Sequence, residues 1–201
     1  GNFLNIDKNF QIRDLKPVIG NLFDNTNIEK LEFTSKNNFS FNVSKKLNFS
    51  NIKLETIIDL KKAIINEKKI KLKNFLPNFT DKIKLENHKI KIDYIKNKLS
   101  IDGNGDIYLS DNPEKLSYTL KKDSNDLYFK TEINIKDDPL NINFLDYKKK
   151  EKLKSTILVI GNLKKNGTIK FNSISLKENK NKILFKGLQI SKNFKITDIN
   201  N

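Results

Sequence analysis

Apolar and polar residues alternate with a period of two along most of the chain. That pattern restricts it to strands with one apolar and one polar face. Leu99, Ile101, Ile107 and Leu109 share one parity, with Gly103 and Gly105 between them on the same face. Ser100, Asp102, Asn104, Asp106 and Tyr108 take the other. Leu116, Tyr118 and Leu120 follow, then Leu127, Phe129, Ile133 and Ile135 against Tyr128, Lys130, Glu132 and Asn134. Leu140, Ile142 and Phe144 alternate with Asn141, Asn143 and Leu145. Upstream, Phe39, Phe41 and Val43 and then Ile90, Ile92 and Tyr94 do the same; downstream, Ile157 and Val159 continue it.

Short polar runs punctuate these strands. Turns are predicted at Glu86-Asn87-His88, Lys96-Asn97-Lys98, Asp111-Asn112-Pro113, residues 121–126, Asp137-Asp138-Pro139, residues 164–167 and residues 178–181. The spacing reads as consecutive antiparallel hairpins, a meander of about a dozen or more strands. Residues 54–65 fit a helix face through Leu54, Ile57, Ile58 and Ile65. They also fit a strand through Ile52, Leu54, Ile58, Leu60 and Ile64, which continues the local pattern and is preferred. Residues 73–79, with Pro77, read as a short helical turn or loop. Residues 15–23, broken by Pro17 and Gly20, read as an irregular connection.

A motif recurs. Lys8-Asn9-Phe10-Gln11-Ile12-Arg13-Asp14-Leu15 returns as Lys192-Asn193-Phe194-Lys195-Ile196-Thr197-Asp198-Ile199, with a looser copy at residues 45–52. Phe10, Phe49 and Phe194 are its aromatics and read as core or lining. Repetition of this kind marks an array of β units. The chain starts at Gly1 and has no Met. We therefore expect residues 1–201 to be one repetitive β segment of a longer protein, with possible sub-units 1–60 and 61–201.

One-faced strands must bury their apolar side in a sandwich, in a barrel or along a sheet curled on itself. Hydrophobic residues make up 36% and mean hydropathy is −0.60, low for a thick core. The fold expected is therefore all-β: a long antiparallel meander of hairpins curled into an open groove, with at most short helical turns. Fourteen strands about 4.8 Å apart would make a trough about 65 Å long.

Composition narrows the chemistry. There is no Cys and one His, so thiol catalysis, Cys-ligated zinc and a multi-His centre within the chain are excluded. The net charge of +15 is spread along the chain, and Arg13 is the only arginine. Bidentate phosphate recognition favours arginine, so no nucleic-acid partner is expected. No metal, cofactor or catalytic residue is assigned.

Three stretches resemble a known family: residues 90–107, Asn143-Phe144-Leu145-Asp146-Tyr147-Lys148-Lys149, and Ile174-Ser175-Leu176-Lys177-Glu178. They look like the AsmA-like, YhdP-type domain of Gram-negative bacteria, with a likeness covering about residues 40–199. The resemblance implies a periplasmic β-groove tethered to the inner membrane by an N-terminal anchor outside this segment. It implies phospholipid acyl chains and neighbouring repeats of the same chain as partners, and phospholipid carriage between inner and outer membranes without catalysis. By strand parity, the lining residues are the apolar ones named in the opening paragraph, from Phe39 to Val159.

Two alternatives stay open: an exported structural or adhesive β-array with no ligand, and a basic module that binds polyanions. Asp102-Gly103-Asn104-Gly105-Asp106 imitates the start of a calcium loop but lacks the later Gly and Glu, so a strand with glycines making room for a neighbour is preferred. His88 is expected as a solvated turn residue, and Asp137-Asp138 as a solvated turn.

Overall fold

The computed structural model describes residues 2–5, 27–66, 72–123, 126–150, 152–192 and 195–198. The strands are β1 (Asn2–Asn5), β2 (Asn27–Val43), β3 (Phe49–Asn66), β4 (Lys82–Ile95), β5 (Lys98–Tyr108), β6 (Pro113–Lys122) and β7 (Asp126–Ile135). After them come β8 (Asn141–Ile142), β9 (Tyr147–Lys148), β10 (Ser155–Lys164), β11 (Ile169–Glu178), β12 (Asn181–Ile190) and β13 (Ile196–Asp198). Eleven strands form one antiparallel sheet in the order β1 to β7, then β10 to β13; β8 and β9 pair separately. Each main strand pairs with the next, so the sheet is the expected meander, and it is not closed into a barrel. At about 4.8 Å per spacing it measures about 48 Å across its strands.

Local chemistry sets the hairpins. Lys96 and Asn97 close β4 onto β5 with φ of 49° and 66°. Positive φ at both central residues is the two-residue turn whose twist matches the strands. Residues 54–65 lie within β3, and residues 72–74 form a single 3-10 turn, both as expected. Of the recurring motif, residues 8–15 and parts of 192–199 fall outside the described residues, as do residues 15–23.

The predicted turn at Glu86-Asn87-His88 is instead a bulge inside β4. Asn87 and His88 together face Gly105, between the pairs Glu86–Asp106 and Lys89–Asn104. Asn87 has φ of 55° and donates to the Asp106 carboxylate at 3.2 Å. β3 carries its own extra residue, Lys61, in line with Asn87: Leu60 faces Phe33 and His88, and Lys62 faces Glu32 and Glu86. An extra residue inverts the side-chain alternation beyond it. Ala63 and Leu85 thereby take the apolar face, and Ile64 lies opposite Lys30 and Lys84 on the polar face, contrary to simple parity.

Two long connections close one end of the sheet. The described part of the first, residues 72–81, links β3 to β4; the second, residues 136–154, links β7 to β10. Asn141 N–H donates to the Phe75 carbonyl at 2.8 Å, joining them. Leu76 and Phe79 from the first and Leu140 from the second pack with Ile107, Leu109, Ile135 and Leu176 of the sheet side. Ile83 of β4 and Ile183 of β12 touch the same cluster. Those strands are six spacings apart, about 29 Å on a flat sheet, so the sheet curls around this plug.

Leu140, Ile142 and Phe144 are thus not a strand of the main sheet. Ile142 belongs to the β8–β9 ribbon, and Leu140 is 4% exposed inside the plug. Phe144 falls in a 3-10 turn, and its side chain lies outside the described residues. Asp138 also departs from expectation: it is 2% exposed and accepts from Ser110 Oγ and Asn112 Nδ2.

Polar ties fix the plug. The buried Glu114 carboxylate accepts the backbone N–H groups of Lys136, Asp137 and Asp138 at 2.8–3.0 Å. Tyr147 and Ser155 hydroxyls donate to Glu178 at 2.7 and 2.9 Å. The buried Lys149 ammonium donates to the Lys136 carbonyl at 2.6 Å.

Candidate functional site: an apolar groove with one closed end

Register places the expected lining residues of the main sheet in continuous rows on one face. One row runs Ile92, Ile101, Leu120, Phe129. The next toward the plug holds Ile90, Gly103, Tyr118, Thr131 and Val159. Leu116, Ile133 and Ile157 form a third. Tyr94, Leu99 and Leu127 lie nearer the other end, where Phe39 pairs with Leu54. Strand parity therefore located the face. It missed Ala63 and Leu85, which join the same face through the paired bulges; Phe33 and Leu60 lie on it in plain alternation with Phe39 and Leu54.

Burial varies along this face. At the plug, Ile107, Leu109 and Ile135 are buried. Ile90, Ile92, Tyr94, Leu116, Tyr118, Leu120, Leu127, Phe129, Ile133, Ile157 and Val159 are half-buried, while Leu99 and Ile101 are buried. At the far tip, Phe41 and Val43 are exposed. Phe49 is also exposed, at 62%, and is neither core nor covered lining. Among the described residues, the β8–β9 ribbon covers this surface only at the plug, and no second sheet covers the rest.

The glycines make room on that face, as expected. The Tyr118 ring covers Gly103, and the His88 ring covers Gly105. His88, expected in solvent, is 1% exposed. Its Nε2 lies 3.0 Å from the Asp106 carbonyl, its ring is 5.9 Å from that of Tyr118, and its Nδ1 has no hydrogen-bond partner. The bulge turns this side chain inward; sequence offered only an Asn-His pair that resembles a turn. Burial lowers the His88 pKa below its usual value and pushes the Tyr118 hydroxyl up to about 12. Both rings are therefore neutral at pH 7, which suits an apolar lining.

The opposite face is a lattice of ion pairs and hydrogen bonds, both between strands and along one strand. Lys115 meets Asp106 at 2.6 Å, Lys91 meets Asp93 at 3.0 Å and Thr119 donates to Asp102 at 2.6 Å. Hydrogen bonds from Lys115 and Asn87 hold the Asp106 carboxyl below its usual pKa. Residues 102–106 are strand and not a calcium loop, with Asp102 and Asp106 engaged on this outer face. Among the described residues, no group of three His, Cys, Asp or Glu is placed to hold a metal ion, and no helix is long and apolar enough to cross a membrane.

Fold and site together define an open, single-sheet β-groove. Comparison with protein-family models, with curated proteins and with solved structures finds no match.

Proposed function

We propose that this chain is a non-catalytic lipid-carrying segment whose groove holds phospholipid acyl chains. The observation that carries the reading is the apolar face of a single sheet, which runs from the plug to the exposed tip and which, among the described residues, no second sheet covers beyond the plug. Each buried methylene of an acyl chain gains about 0.8 kcal/mol on such a surface, and no directional polar group is needed. The neutral state of His88 and Tyr118 and the placing of charged pairs on the outer face support it. In this reading the segment works in the periplasm, tethered to the inner membrane through an anchor elsewhere in the protein. It passes phospholipid between inner and outer membranes in the manner of the AsmA-like family it resembles, with neighbouring repeats extending the groove.

Native mass spectrometry and lipid extraction of the purified chain test it. Phospholipid co-purifying with the folded chain is the expected result. A lipid-free chain whose apolar face is covered entirely by protein would overturn the reading in favour of a structural array.

A further inference from the structure

β2 and β3 outrun the sheet. They pair as far as Val43–Phe49, whereas β4 leaves β3 at Lys53 and β1 reaches only Asn38 of β2. Residues 40–52 therefore project as a two-stranded tongue at the end opposite the plug. Such a ribbon has little independent stability in water, because neither face is covered. Its surface is nevertheless apolar: Phe41, Val43, Leu47, Phe49 and Ile52 are 42–76% exposed. Phe41 stacks on Phe39 at 5.9 Å and meets Phe49 edge-on at 5.2 Å. At the turn, Leu47 has φ of 59°. That left-handed conformation suits Gly or Asn, so this most exposed leucine occupies a strained position where a polar residue would fit better.

Charge completes the pattern. Residues 40–54 hold Lys45, Lys46 and Lys53 and no carboxylate. The turns that follow along the same edge of the sheet repeat the pairing: Lys96 with Lys98, Lys121 with Lys122, and Lys164 with Lys165. Only Asp123 and Asp126 oppose them in those turns, and Asp126 is paired with Lys164. An apolar tip ringed by lysines is complementary to one surface, a bilayer with anionic headgroups.

We propose that the β2–β3 tongue and the lysine-bearing turns beside it form a docking surface for an anionic phospholipid membrane, with Phe41, Leu47 and Phe49 entering the interface. The inference goes beyond the groove reading and does not depend on it. A groove with no lipid in it would leave the docking surface standing.

The full 201-residue chain is tested by flotation with vesicles of phosphatidylcholine containing about one third phosphatidylglycerol, and with phosphatidylcholine alone. The chain binds the anionic vesicles selectively. The pairs Phe41→Ser with Phe49→Ser, and Lys45→Glu with Lys46→Glu, each weaken binding about tenfold or more. Lys180→Glu with Lys182→Glu, at the plug end, changes it less than about twofold. The chain has no Trp, so Phe49→Trp is a clean reporter; its emission shifts to the blue on anionic vesicles, and that of Phe75→Trp, at the plug end, does not. Circular dichroism verifies the fold of each variant. Equal loss from both charge swaps, no loss from the phenylalanine pair, an unshifted Phe49→Trp, or equal binding to uncharged vesicles would each overturn the proposal.

Discussion

The His88 ring lies over the Gly105 backbone so closely that a methyl group on Gly105 would stand 2.3 Å from the imidazole Cδ2 and 2.7 Å from the His88 Cα. Gly103 stands in a similar relation to Tyr118, but there the obstruction is the far end of a longer side chain. Gly105→Ala must displace backbone and should cost about 1–3 kcal/mol. Gly103→Ala should cost less, because the Tyr118 ring can swing toward the open groove. Urea unfolding of the two variants checks the order.

His88 gives the fold a pH dependence. Burial depresses its folded pKa below the ordinary value of 6.5, so the unfolded chain binds more protons. The stabilisation is complete above about pH 6.5 and is lost as pH falls through the depressed folded value. Thermal melting of the wild type should therefore drop between pH 7 and pH 5, and His88→Asn should flatten that part of the profile. An unchanged slope in the variant would contradict the assignment.

Much of the groove was legible because period-two alternation needs only local sequence. Leu99, Ile101 and Ile107 alternate without interruption, and register put them on the face expected. His88 was not legible, because Asn87-His88 is as good a turn signal as a bulge, and only pairing with Gly105 decides between them. The helix-like spacing of Ile57, Ile58 and Ile65 arises where Lys61 shifts β3, with Ile57 left 52% exposed on the outer face. Leu140, Ile142 and Phe144 make too short an alternation to separate sheet from plug; that choice depends on the contact of Asn141 with Phe75, over sixty residues away.

The paired bulges make a sharp claim about two neighbours. Ala63 faces inward at 3% exposure, and Ile64 faces the lysines outside. Ala63→Lys should destabilise the fold by about 2 kcal/mol or more, since it buries a charge without a partner. Ile64→Lys should change stability by less than about 1 kcal/mol. Chemical denaturation of both variants would expose an error in the register if the order were reversed.

Glu114 holds the second plug connection through three backbone N–H groups. Glu114→Ala leaves those donors orphaned in a buried site and should cost about 2–4 kcal/mol. Hydrogen exchange should show the loss first at Lys136, Asp137 and Asp138. Protection unchanged at those amides would mean the carboxylate does not hold the plug.

The most direct test of the groove places a photo-crosslinking amino acid at Ile92, on the apolar face, and in a separate variant at Lys91, on the outer face one residue away. Irradiation in a Gram-negative host should attach phospholipid at position 92 and not at 91. Equal labelling at both positions, or none at position 92 in a folded chain, would contradict the account.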